Sequence, residues 1–147
     1  MRPREARVQA RISLIDLVNA LEAATHGLEW RVDLVTGDFL PCEAGTPCPE
    51  PGARFRMLPT NGALRETEIR RAFCATVADA AVRKSLADAV ESREFAVEMR
   101  RAGLHDEWLV HRRWKLTELA LEWAEAENVD CRRDLHAPRS GRLQTAG

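Results

Sequence analysis

A change of hydrophobic period divides this chain and limits the folds open to it. Leu28, Trp30, Val32 and Leu34 alternate with Glu29, Arg31 and Asp33, and the run then meets Thr36-Gly37, a pair suited to a tight turn. From Asn61 onward alternation gives way to helical spacing, and no further strand pattern follows. Strands grouped ahead of helices, not interleaved with them, predict an α+β fold with an antiparallel sheet.

Ser13, followed three positions later by Asp16, resembles a capping box. Leu14, Leu17, Val18 and Leu21 then trace one face of a short helix ending near His26-Gly27. The return strand of the hairpin spans Asp38 to Cys42. The next segment, PCEAGTPCPEPGA, holds four prolines and two glycines, and proline cannot donate to a strand ladder, so it reads as loop. Arg54 to Pro59 alternates again and adds a third strand. Thr60 or Asn61 can cap a helix carrying Ile69, Phe73 and Val77, Asp79 another with Val82, Leu86 and Val90, and Ser92 a third with Phe95 and Met99. A Gly103-Leu104 stop precedes the last helix, which His105-Asp106 can cap; Leu116, Leu119, Ala120 and Trp123 form its expected core stripe, with Trp108 packed at its entry. The predicted organisation is a basic flexible arm over 1–12, a single α+β domain over 13–129 and a disordered tail over 130–147. Within the domain, a short helix and a three-stranded antiparallel sheet precede four helices packed on one face.

With 147 residues, 45% hydrophobic and 31% charged, the chain can build a core without staples. A net charge of −1 gives no global pull toward nucleic acid or membrane. No apolar run approaches the roughly 18 residues of a membrane span, and the charged start MRPREARVQAR has no apolar segment behind it, so a cytoplasmic, unexported protein with no membrane partner is expected. Cys42, Cys48, Cys74 and Cys131 are then expected as thiols in a reducing compartment.

The ordered set of a Ser-capped helix, a Thr-Gly hairpin, a strand ending in Leu58-Pro59, Leu86 to Ala89, Gly103-Leu104 to Trp108, Arg112, and Ala120 to Trp123 resembles the uncharacterised protein family UPF0158. The likeness covers roughly residues 13–129. It departs at Glu91 to Phe95, which lacks the family's usual glycines, and at His111, where an aromatic is usual. The resemblance implies a small bacterial cytosolic α+β protein and carries no activity or catalytic residue with it.

Chemistry-bearing residues are sparse. Cys42, Cys48, Cys131 and His136 lack the two tight pairs of a structural zinc site. No nucleophile elbow, phosphate-binding glycine loop, His-Glu-x-x-His or dinucleotide fingerprint occurs, so no cofactor, metal or catalytic residue is assigned. Basic and aromatic residues do gather at His111, Arg112, Arg113 and Trp114; with Arg93 they form the candidate binding surface. A guanidinium beside an indole suits a protein partner or a second copy of the chain; it also suits nucleic acid, in concert with the basic termini.

Overall fold

The Ser13 hydroxyl closes a strand and opens a helix. Its Oγ accepts a hydrogen bond from the Asp16 amide at 3.2 Å, as the capping pattern predicts, and itself donates to Asp134 Oδ2 at 2.6 Å. Asp134 Oδ1 also accepts from the Ile15 amide at 3.0 Å, so a residue 119 positions away in sequence shares the cap. The computed structural model describes residues 10–24, 28–43, 45, 47–59 and 65–135. The predicted caps at Thr60 and Asn61, the helix end at His26-Gly27, His136 and most of both termini lie outside them. The described elements run β1 Ile12–Ser13, α1 Leu14–Ala24, β2 Glu29–Asp33, β3 Phe39–Cys42, β4 Phe55–Met57, α2 Glu66–Cys74, α3 Ala80–Asp88, α4 Glu94–Arg101, α5 His105–Ala126 and β5 Cys131–Arg132. The fold is α+β, with a short N-terminal helix, a three-stranded antiparallel sheet and helices after it.

The described residues form two compact units. One holds the described residues 10–59 and 116–135, the other 65–115.

In the first unit β2 is the central strand, with antiparallel β3 on one side and β4 on the other. Pro41 is tolerated because β3 is an edge strand. Helix α1 packs on β2 and β3 and buries Leu14, Leu17, Val18 and Leu21. The alternation along β2 suggests a wet polar face, yet Arg31 and Asp33 are both buried. Each is satisfied by a loop: Arg31 Nε donates to the Pro49 carbonyl at 3.1 Å, and Asp33 accepts from Arg54 at 2.9 and 2.7 Å. The Asp33 carboxylate also takes the Val35 amide at 2.9 Å, and its backbone oxygen takes the Gly37 amide at 2.7 Å, so one residue pins the hairpin turn. Gly37 has φ +84, a left-handed conformation that disfavours any side chain.

Three expectations are corrected in this unit. Ile12, assigned to the flexible arm, is fully buried, and Cys131, assigned to the tail, is buried too, because β1 and β5 pair in parallel with Ile12 opposite Cys131. Cys42 and Cys48 form a disulfide instead of two thiols, with Cα atoms 5.5 Å apart, as the proline-rich loop turns back onto β3. On α5 the fully buried side is Leu116, Thr117, Ala120 and Ala124, whereas Leu119 and Trp123 are only half-buried.

The second unit is helical. Asp79 caps α3 through the amides of Ala81 and Val82, and Ser92 Oγ takes the Glu94 amide at the start of α4. Helix α4 ends in a Schellman motif: Gly103, with φ +75, and Leu104 donate to the carbonyls of Arg100 and Met99. Trp108 is buried as expected, edge-on to Phe73 at 5.6 Å and Phe95 at 5.2 Å between ring centres. Arg70 lies 4.8 Å over the Phe95 ring and donates to the Val90 carbonyl at 2.9 Å. One free buried thiol sits in each unit, Cys131 in the first and Cys74 in the second, and burial pushes both above the ordinary thiol range.

Arg54, and then the turn amides, hold the Asp33 carboxyl far below the ordinary carboxylate range, against the cost of its burial. On acidification the unfolded chain therefore takes up this proton first. The stability that the carboxylate contributes is complete above the unfolded carboxylate range and is lost as pH falls through the lower folded value, a window starting near about pH 5. Asp33→Asn is expected to lower stability at neutral pH by about 1–3 kcal/mol and to flatten the acid dependence. Urea denaturation of both proteins along a pH series measures the two effects.

Candidate functional site

The candidate residues lie on α4 and α5 in the second unit, but the fold sorts them into separate roles. Arg93 is the exposed N-cap residue of α4. His111 is half-buried, its ring edge-on to Phe73 at 5.2 Å and near-parallel to Trp108 at 6.1 Å, so it extends the aromatic core. Arg112 turns inward as well. Its Nε donates to both Glu66 carboxylate oxygens at 3.3 Å, with the side chains 15% and 19% exposed. Glu66 in turn meets Arg70 at 3.4 Å, which joins Arg112 to the cation over Phe95. Two of the five predicted surface residues, His111 and Arg112, therefore turn toward the interior.

Arg113 and Trp114 are half-buried, and Lys115 Nζ lies 5.5 Å from the Trp114 ring centre. Next to them stand two residues that the sequence did not single out, Leu109 at 46% exposure and Val110 at 42%. At 100° per residue, Trp108 and Arg112 mark the interior side of the first half of α5, and Leu116, Ala120 and Ala124 that of the second half. Asp106, Leu109, Val110 and Arg113, spaced i, i+3, i+4, i+7, share another side of the first half, on which Leu109 and Val110 are exposed. That spacing is the signal in the sequence that marks this side.

Two recesses lie among the described residues, one in each unit. One of about 310 Å³ in the first unit is lined by Asp16, Asn19, Ala23, Trp30, Asp38 and Phe39, a set of carboxylates and rings suited to a cationic group. The other, about 240 Å³ in the second unit, lies between α3 and α4 beside the Glu98–Arg101 ion pair. Neither sets a serine, cysteine or threonine beside a histidine. Among the described residues no three histidine, cysteine or acidic side chains gather to hold a metal ion, and no helix is long and apolar enough to cross a membrane. Comparison with protein-family models, curated proteins and solved structures finds no match to the chain.

The Glu66–Arg112 contact makes a separable prediction. Arg112→Met and Glu66→Gln are each expected to destabilise the protein by about 1–3 kcal/mol, and the double variant by clearly less than the sum. A double-mutant cycle by chemical denaturation measures the coupling; strict additivity would return Arg112 to the binding surface.

Proposed function

We propose that this chain is an accessory domain that binds another protein through the outer side of α5, without catalysis. The observation that carries this reading is the exposure of Leu109 and Val110 beside Arg113 and Trp114. Apolar side chains grouped on one face, next to an arginine and an indole, have the composition of a contact surface. The nucleic-acid alternative is less well supported: Asp106 and Glu107 are exposed on the same helix, and Arg112 is engaged by Glu66. The likeness to UPF0158 is kept as a proposal and adds no activity. Residue-specific photo-crosslinking from position 110 in cells, with Arg113→Glu as the control variant, tests the surface. A protein adduct that disappears in the variant supports it, and the absence of any adduct removes it.

The cytoplasmic setting belongs to the same proposal, and the Cys42–Cys48 bridge weighs against it. Disulfides persist in oxidising compartments and are rare in reducing ones. Recovery of both residues as alkylated thiols after trapping in intact cells supports a cytoplasmic location; recovery of the intact bridge opposes it.

A further inference from the structure

Strand register and helical spacing together build the recess of about 310 Å³ in the first unit. Trp30 pairs with Pro41 and Val32 with Phe39 across β2 and β3, so alternation puts Trp30 and Phe39 on one face of the sheet, with the buried Val32. Helix α1 packs on these strands and lines the recess with Asp16, Ala20 and Ala23, spaced i, i+4, i+7. Alanine at the last two positions leaves space that a longer side chain would fill. The hairpin turn adds Asp38 to the wall, its amide donating to Thr36 Oγ1 at 3.2 Å and its carbonyl accepting from the Asp33 amide at 2.8 Å.

The charged residues in this wall, Asp16 and Asp38, are both acidic and exposed, and no basic residue lines it. Among the described residues neither carboxylate makes a hydrogen bond or an ion pair. Arginines close by in the sequence are engaged elsewhere: Arg11 with Asp130 at 3.2 Å, Arg31 with the Pro49 carbonyl and Arg54 with Asp33. The Trp30 Nε1 is enclosed without a hydrogen-bond partner, so this indole offers the recess its ring surface and not its N–H. Carboxylates attract positive charge, and aromatic faces favour a weakly hydrated cation over a neutral group of the same shape. We propose that this recess binds a small organic cation, an ammonium nitrogen on a short apolar body, with its charge near Asp16 and Asp38 and its alkyl groups against Trp30 and Phe39. A volume at the lower end of the roughly 300–1,000 Å³ of ligand pockets suits a molecule of that size. The site belongs to the first unit and does not rest on the contact surface proposed for α5.

The test titrates the full chain at low ionic strength with choline, with ethanolamine, and with 3,3-dimethylbutan-1-ol, the uncharged carbon isostere of choline. The readout is the indole N–H resonance of Trp30, assigned by its loss in Trp30→Phe, and far-UV circular dichroism shows that each variant is folded. Wild type is expected to give a saturable shift with at least one of the two amines in the millimolar range, and the isostere to bind at least about fivefold more weakly than choline. Asp16→Asn combined with Asp38→Asn is expected to raise the dissociation constant of the amine at least about fivefold and to leave the isostere unaffected. Ala23→Met keeps both carboxylates but fills the recess, and is expected to weaken the amine and the isostere alike. Tighter binding of choline than of ethanolamine supports the proposal with a methylated ammonium as ligand, and the reverse order supports it with a primary amine. The absence of a saturable shift with both amines overturns the proposal. An isostere that binds as well as choline, or an amine affinity that ignores the loss of both carboxylates or the filling of the recess, overturns it as well.

Discussion

The structure depends first on bringing distant stretches of chain together. The first unit is not a continuous segment: its sheet and first helix come from residues 10–59, and the rest comes from residues 116–135. Its seam is short. Two residues on each strand pair at β1 and β5, and the Asp134 carboxylate reaches back to Ser13 and to the start of α1. Closing a long loop costs entropy that grows only slowly with loop length, but that cost must be met before any of these contacts forms. These four paired residues cannot meet it alone, and the Ile12 amide, donating to the Asp130 carbonyl, and Arg56, donating to the Glu127 carbonyl, add to the junction. The buried Ile12 and Cys131 and a cap that gathers Ser13, Ile15 and Asp134 act together, which makes this junction cooperative.

The same logic explains where charged residues are tolerated inside. Asp33 on the central strand is surrounded by donors: a forked guanidinium and the amides of the turn that follows. In the second unit Glu66 sits between Arg70 and Arg112, and Nη1 of Arg70 donates to the Val90 and Ser92 carbonyls just ahead of α4. Arginine suits both places because its planar fork satisfies several acceptors at once while its flat face lies on an aromatic ring. The arginine-rich composition that resembles a binding signature in the sequence is thus used in part to wire the interior.

How much could be read from the sequence follows from how local each signal is. Ser13 with Asp16, Asp79 ahead of α3 and Gly103 after α4 each act within a few residues, and each takes the predicted cap role. The hairpin was legible because alternation and a turn glycine are also local, and the α+β class followed from the order of the elements. The β1–β5 pairing was not, since two-residue strands have no period and their partners lie at opposite ends of the chain. Arg112 resembled a surface residue because its acid stands 46 positions upstream. Leu119 and Trp123 were misassigned because hydrophobicity marks a stripe, while close approach selects small residues such as Ala120 and Ala124.

The two buried free thiols have a practical consequence. Cys131 belongs to one unit and Cys74 to the other, and each is nearly closed to solvent in the native state. A thiol reagent can modify either one only when its surroundings open, so the two labelling rates report separately on the opening of each unit. The chain therefore carries a built-in pair of stopwatches, with no engineered probe, for asking whether its two halves breathe together or apart.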